Sequence, residues 1–466
     1  MTPSVSRHSD RHPRQITDPR AAALTVLKQL GNRNTTLDHI LDTIAPAIDK
    51  LSRRDRALFN QLVYGVLRWR LRLDAVIDTH ANRPLKKIAP TVLNILRLGL
   101  FQILFMDRIP SSAAVNASVN LVRTQRASSA AGFVNAVLRS ALRNPQRFRL
   151  PDAGTSPVEH LALSAALPHW LAARWIKRMG FASAGRLCDA INTIPPISLR
   201  CNGLKNELPE LVTALSTDAQ RIDPMPTVPG GVNLIGPRRS IPRMQAFAEG
   251  RFAVQDGAAQ LVSFLLAPRP GEQVLDACAG LGGKTTHLAQ IMRNQGRIIA
   301  LDHDSLKLTR LEAAARRLGV AIIDTQTGDL NQPPAPRGLP RFDRVLLDAP
   351  CSGLGVLRRN PDAKWSSRKA DIARCADRQV RFLDGLAPLV KPGGILVFAV
   401  CSMEPEENEQ VIARFLKKHA NFAISASQAI EAASVQPFIG RDRFFRTAPH
   451  INDLDGFFAA RLRRRD

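Results

Sequence analysis

Two cysteines stand where a chain of alternating strands and helices delivers reactive groups. Cys351 lies in DAPCSGLGVLRRNPDAKW, residues 348–365, and Cys401 in AVCSMEPEEN, residues 399–408. Each follows a short apolar run that reads as a strand, 343–348 and 394–400. A lone cysteine after a strand is more often a small buried hydrophobe than a nucleophile. Two at adjacent strand ends, over one crevice, shift the balance toward chemistry.

A third strand end, 273–278, runs into a glycine turn made of Cys278, Ala279, Gly280, Leu281, Gly282, Gly283 and Lys284. A P-loop would need its first glycine where Cys278 stands, and a dinucleotide fingerprint its last where Thr285 stands. A site for S-adenosylmethionine demands less. It needs a turn that lets backbone approach the ligand and carboxylates at neighbouring strand ends. Asp302 closes the next strand and suits ribose hydroxyls. Asp329, after Gly328, suits an adenine amino group, and Asp348 closes the strand before Cys351. Any one of these acids could simply cap a helix. All three with the glycine turn favour a nucleoside cofactor.

A methyl donor beside two thiols points to a particular acceptor. Carbon 5 of cytosine is too weak a nucleophile to take a methyl group unaided. A thiolate that adds to carbon 6 turns the ring into an enamine whose carbon 5 can attack. An acid or hydrogen-bond partner at nitrogen 3, for which Asp348 is suited, absorbs the developing charge. Transfer to an exocyclic amine needs no thiol and favours an Asn/Asp-Pro-Pro-aromatic loop. Here that loop is Asp348, Ala349, Pro350, Cys351.

The elements that must position these groups fall into three parts, after a basic tail at 1–15. Residues 16–148 read as all-helical, with Asp18 as an N-cap and Pro19 at the first turn. Periodic apolar stretches follow at 37–45, 54–73, 90–106, 113–123 and 130–142. Residues 149–250 read as a small α/β connecting domain, with helices at 167–179 and 207–215, a strand at 197–202 and a loop run at 224–231. Residues 252–260 lead into the C-terminal domain, 251–466. There strands at 273–278, 297–302, 322–326, 343–348 and 394–400 alternate with helices at 285–293, 305–318 and 371–389, and apolar segments at 422–424 and 456–462 follow. Such alternation predicts a Rossmann-like, doubly wound sheet with ligands beyond the carboxyl ends of its strands.

Composition supplies the partner. The 466 residues carry 65 Lys+Arg against 40 Asp+Glu, a net charge of +25. Residues 1–150 hold 24 Lys+Arg against 9 Asp+Glu, so more than half of the excess sits in the helical part. That concentration favours a polyanion, nucleic acid foremost. No run of about 18 apolar residues predicts a membrane span. The polar start is unlike a secretory signal. Six scattered cysteines without a CxxC pair predict free thiols, no metal and a reducing, cytoplasmic setting. A monomer is expected. Arg358, Arg359 and Lys364 are candidate phosphate ligands, Trp365 a loop-packing ring, and Glu406, Glu407 and Asn408 helix caps. His287 and His303 read as surface or turn histidines.

Two resemblances complete the reading. RDRALFNQLVYGVLRWR (54–70), IPSSAAVNASVNLVR (109–123) and GFVNAVLR (132–139) resemble the NusB-type RNA-binding helical domain. VQDGAAQ (254–260), LDACAGLGGKTTH, LLDAPCSGLGVLRRNPDAKW, LVKPGGILVFAVCSMEPEEN (389–408) and PHINDLDGFFAARL (449–462) resemble the RNA cytosine-5 methyltransferase family. With a NusB-like front end, the resemblance extends to bacterial members that act on small-subunit ribosomal RNA. It implies that Cys401 is the nucleophile and that Cys351 assists product release. It also implies that residues Cys278 to Lys284, with Asp302, Asp329 and Asp348, hold S-adenosylmethionine. Two positions depart from the family pattern: Gly280 and Leu281 replace Ala-Pro, and Val400 replaces Thr before the nucleophile. Rival readings are a transfer-RNA methyltransferase of the same chemistry and a non-catalytic RNA-binding assembly factor.

Overall fold

Asp18 opens the first helix, Pro19–Gln29, as its sequence predicts: the carboxylate accepts a bond from the Arg20 N–H at 2.9 Å. The computed structural model describes residues 18–31, 35–125, 127–331, 338–425 and 432–465, so the basic tail at 1–15 lies outside the described residues. The chain divides into two compact units, Met1–Ile176 and Lys177–Asp466.

In the first unit, further helices span Leu37–Ile48, Arg53–His80, Pro90–Phe105, Ser111–Thr124, Ala131–Arg143 and Pro157–Ser164. Arg53–His80 is organised by an apolar stripe of Phe59, Leu62, Val63, Val66, Leu73, Val76 and Ile77, all buried. It runs past the expected end at residue 73 because Val76 and Ile77 continue that stripe. Asp74, on its partly polar side, is held by the Arg97 guanidinium in two bonds of 2.6 and 2.8 Å. Exposed basic side chains, among them Arg54, Lys86, Lys87, Arg139 and Arg143, carry the unit's charge into solvent. The stretch 149–176, read from sequence as connecting segment, is part of this unit.

The second unit contains two sheets. The smaller is formed by β1 (Ile197–Cys201), β2 (Arg221–Pro224), β3 (Gly231–Ile235) and β4 (Phe252–Val254), ordered β2-β3-β1-β4 and wholly antiparallel. Leu199, Val232, Leu234 and Phe252 pack beneath it with Leu211 and Leu215 of the helix Leu208–Leu215. Two expectations change here. Phe252–Val254 pairs with β1 (Leu199 with Val254), so this strand belongs to the small sheet and only the following helix, Gly257–Leu266, joins the large one. The short strands β2 and β3 flank the loop run that sequence alone suggests, and β2 is a polar edge strand without alternation.

The larger sheet contains β5 (Gln273–Asp276), β6 (Arg297–Asp302), β7 (Ile323–Thr327), β8 (Phe342–Asp348), β9 (Val390–Val400), β10 (Phe422–Ile424), β11 (Phe445–Thr447) and β12 (Phe457–Arg464). Its order is β10-β12-β9-β8-β5-β6-β7, with β11 paired to β12. The strands from β5 to β9 are parallel, and β12 runs antiparallel to β9. Successive residues bury on opposite faces: Val274, Ile298, Leu346 and Val397 on one, Leu275, Ile299, Val345, Leu347, Leu396 and Phe398 on the other. Burial on both faces explains the near-continuous apolar runs. Each fully buried Leu or Phe contributes about 1.5–3 kcal/mol. The helices Gly257–Leu266 and Gly283–Ile291 cover the first face, and Lys369–Leu386 and Glu409–Lys418 the second. Among the described residues, no helix is long and apolar enough to cross a membrane.

Candidate active site

The parallel order β7-β6-β5-β8-β9 sets out the chemistry-bearing residues in a row along the carboxyl edge. Asp329 follows β7, Asp302 ends β6, the glycine turn follows β5, Asp348 ends β8 and Cys401 follows β9. The three acids are therefore not consecutive. Asp302 and Asp329 lie on one side of the glycine turn, and Asp348 lies on the other with the thiols.

The turn is built by backbone bonds. Ala279 N–H donates to the Leu301 carbonyl at 2.9 Å and Gly282 N–H to the Ala279 carbonyl at 2.9 Å, after which Gly283–Ile291 begins. Gly282 has φ +82°, and a Cβ there would stand 2.4 Å from Leu311 Cγ, so glycine is required. At Gly280, φ +54°, a Cβ would meet open space. That open face fits a ligand lying against the backbone. The Gly280 N–H donates to Asp302 Oδ2 at 2.8 Å, and Asp304 N–H donates to Oδ1 at 3.0 Å, which fixes the Asp302 carboxylate beside the turn. Asp329 accepts from Asn331 N–H and Nδ2–H, each at 2.8 Å. The Asn331 backbone bond holds its carboxyl below the usual range. Beneath the turn, burial pushes Asp276 up to about 7, against the bond it accepts from Thr285 Oγ1 at 2.7 Å. Burial also holds the Cys278 thiol well above its ordinary range, with Asp276, Asp348 and Asp302 adding to the effect.

On the other side, Lys284 Nζ and Asp348 Oδ2 are 2.5 Å apart. Burial opposes the ammonium, but Asp348 by charge and hydrogen bond, helped by Cys401 and Asp276, holds Lys284 above its usual value. Leu347 pairs with Phe398 and Asp348 with Ala399 across β8 and β9, so the loops that follow run side by side. Cys351 Sγ and Cys401 Sγ approach to 3.3 Å. Gly355 N–H donates to the Cys401 carbonyl at 3.0 Å, and Gly456 N–H donates to the Gly355 carbonyl at 2.8 Å. The hydrogen bond with Cys401, then burial and the charge of Cys401 and Glu407, keep the Cys351 thiol well above its ordinary range.

Several candidates have other work. Arg359 is spent on Asp455 (2.8 Å), Asp256 (2.7 Å), Ser198 Oγ and the Pro196 carbonyl, tying the β8 loop to the small sheet. Arg358 is buried against Asp453 at 2.6 Å, and Lys364 is buried and donates to Asn192 Oδ1 at 2.8 Å. The expectation that these three hold phosphates gives way to loop anchoring. His287 is buried edge-on to Phe264 rather than at the surface, while His303 is exposed beside Asp302. Asn408 precedes the helix Glu409–Lys418 without a side-chain cap, and Glu407 turns inward. Sequence reasoning missed Arg200, a buried guanidinium on β1 that bonds Gln255, the Gly283 carbonyl (2.6 Å) and Thr286 Oγ1 (3.0 Å). An arginine inside an apolar strand, ISLRC, is the signal that could have found it. Among the described residues, no group of three or more His, Cys, Asp or Glu is arranged to hold a metal.

A methyltransferase sheet with an antiparallel strand beside β9, a glycine turn and a thiol pair defines a class. The family model described as 16S rRNA methyltransferase RsmB/F matches residues 263–463. The NusB family matches 17–143, and the ferredoxin-like domain of RsmF/B-like methyltransferases matches 167–240. "Probable ribosomal RNA small subunit methyltransferase B" of Bacillus subtilis is 35% identical over 453 residues, 96% of this chain and 99% of that protein. The ribosomal RNA small subunit methyltransferase B of Erwinia tasmaniensis is 33% identical over 450 residues, 96% and 99% of the two chains. The solved structure of PH0851 is 27% identical and superimposes with a TM-score of 0.78 over 95% of this chain and 98% of that one. The chain belongs to the ribosomal RNA small subunit methyltransferase B family. It is an S-adenosylmethionine-dependent ribosomal RNA methyltransferase.

Proposed function

We propose that this enzyme forms a covalent bond between Cys401 and carbon 6 of a cytosine in 16S ribosomal RNA while carbon 5 is methylated. The observation that carries this reading is the 3.3 Å thiol pair next to the Asp348 and Lys284 pair. The open face at Gly280 and the fixed carboxylate of Asp302 suit S-adenosylmethionine. Residues Cys278 to Lys284, Asp302 and Asp329 would hold it, with Asp348 at the boundary between cofactor and base. When bound, it supplies an electrophilic methyl group. The Cys401 thiolate adds to carbon 6 and makes carbon 5 nucleophilic. A proton held between Asp348 and Lys284 meets the charge that develops at nitrogen 3. A base then takes the carbon 5 proton, the carbon 5–carbon 6 double bond re-forms and the carbon 6–sulfur bond breaks, so that Cys401 leaves as a thiolate. Cys351, 3.3 Å from that sulfur, assists this elimination.

The target base must leave its stack to reach this crevice, which favours a loop or incompletely assembled RNA in the cytoplasm. The basic helical unit binds RNA backbone. Neutralising Lys86 and Lys87 to Gln lowers the slope of log affinity against log salt by about 0.7 for each phosphate that is no longer neutralised. An unchanged slope, measured by filter binding, removes those two from the interface.

The test of the function is a map of 5-methylcytosine in ribosomal and transfer RNA with and without the gene. One small-subunit position loses its methyl group in the deletion and regains it with the wild-type chain. It does not regain it with Cys401→Ala, although the purified variant still binds S-adenosylmethionine. Full methylation by Cys401→Ala rejects the nucleophile. Loss confined to transfer RNA replaces the substrate.

A further inference from the structure

Two thiols 3.3 Å apart pose a question of symmetry, because either sulfur can carry the proton between them. What distinguishes them is a carboxylate. Glu407 is fully buried and accepts three hydrogen bonds: Oε1 from Ser352 N–H at 2.7 Å, and Oε2 from the hydroxyls of Ser352 at 2.6 Å and Ser402 at 2.5 Å. Ser352 follows Cys351 and Ser402 follows Cys401, so one side chain fastens both cysteine loops. Burial raises this carboxyl, while the three donated hydrogen bonds favour its ionised form and oppose that rise. Its charge bears on the Cys351 side, where it disfavours a second anion. Lys284, opposed by burial, has its ammonium favoured by Asp348 first and by Cys401 after it.

We infer that Glu407 is a positioning residue that breaks the equivalence of the two thiols: it fixes their loops in register and, with two of its three bonds on Ser352, sets its carboxylate against the Cys351 side, which leaves Cys401 the more reactive sulfur. The inference rests on the proposed reading of Cys401 as nucleophile. Burial raises the Glu407 carboxyl itself, with Glu404 adding and the three hydrogen bonds opposing. Other charged or titratable groups near the loops are already engaged. Arg178 pairs with Glu404 at 2.9 Å, and the Arg378 guanidinium lies 3.7 Å from Cys375 Sγ, on the helix packed behind the loops. Burial also pushes up the Cys375 thiol. In sequence, Glu407 has the look of a helix cap. Its inward turn leaves that helix without a side-chain cap, and the fastening of the thiol loops takes its place.

The experiment is limited alkylation of the intact protein with iodoacetamide at pH 8, read residue by residue by peptide mass spectrometry. In the wild type, Cys401 reacts about tenfold faster than Cys351 or more, because the thiolate is the reactive form. Glu407→Gln removes the charge at constant size. It brings the two rates within about threefold and lowers kcat about tenfold or more, with the KM for RNA little changed. Glu407→Asp keeps the charge and restores most of the preference. Cys188 and Cys201, both buried, report loss of the fold if they become labelled. A wild-type ratio near one overturns the inference. So does an unchanged ratio in Glu407→Gln with Cys188 protected. If Glu407→Gln exposes Cys188, Glu407→Asp decides: a retained preference for Cys401 supports the inference, and a lost one overturns it. Cys401→Ala separates the two levels, since activity in that variant defeats the nucleophile reading, whereas an inactive Cys401→Ala with unmoved labelling ratios defeats only the role of Glu407.

Discussion

The two sides of the glycine turn are built on opposite plans. Toward β6 and β7, Asp302 and Asp329 are each held by backbone N–H groups next to them in the chain or in the turn. Toward β8 and β9, the groups are held in pairs, Lys284 with Asp348 and Cys351 with Cys401, across elements far apart in sequence. The first side presents fixed acceptors to a ligand that only has to be gripped. The second keeps protons shared between partners, as a reaction that moves protons requires. A grip survives the removal of one hydrogen bond, whereas a proton relay fails when one member goes.

The sharpest way to break this comparison is Cys351→Ala. It leaves the methylated ring attached to Cys401, so a covalent RNA–protein adduct accumulates on a denaturing gel and multiple turnover falls by about 100-fold or more. Normal turnover without an adduct would remove Cys351 from the relay. On the gripping side, Asp302→Asn weakens S-adenosylmethionine binding by about tenfold, the worth of one charge-assisted bond. Asp329→Asn weakens it by about threefold, since this carboxylate is the more solvated. Calorimetric titration checks both, with kcat at saturating cofactor within about threefold of wild type. A collapse of kcat in either variant would place these acids in the relay.

The smallest effect concerns stability. Asp276 has its folded pKa raised from 3.8 to about 7, so the folded state keeps a proton that the unfolded chain has lost. Its contribution is therefore lost as pH rises between those two values. Asp276→Asn flattens that part of the decline in urea-unfolding free energy from pH 5 to pH 8, and an unaltered slope would assign the decline to other groups.

How much of the molecule is legible in its sequence depends on how local the cause is. β6 and the helix Ser305–Leu318 have the bounds that sequence predicts, because an apolar run ends in acids and the helix closes at Gly319 in the left-handed region. β9 begins earlier than expected: Val390 already pairs with Phe342, and a register shift carries the strand through Pro392 and Gly393, residues that look like a break. The helix Phe181–Asn192 escapes sequence reading because Gly185 and polar residues blur its period. The cysteines, the glycine turn and the strand-end acids are visible as motifs. The Lys284 and Asp348 pair, the Glu407 clamp and the spending of Arg359 on Asp256 and Asp455 are not, since each joins residues that only the strand order brings together.

That strand order also bears on when the enzyme comes into being. β12 follows β10 in the chain yet inserts between β9 and β10, and Gly456 at its threshold bonds the loop that carries Cys351. During synthesis the segment from Cys351 to Cys401 leaves the ribosome before β12 does. Until residues near 464 emerge, β9 has one open edge and the thiol loops lack their outer backbone support. Domains fold as units while the chain is made. The reactive pair is thus completed by a strand made after both of its loops, so the two thiols gain their outer support only once β12 has formed.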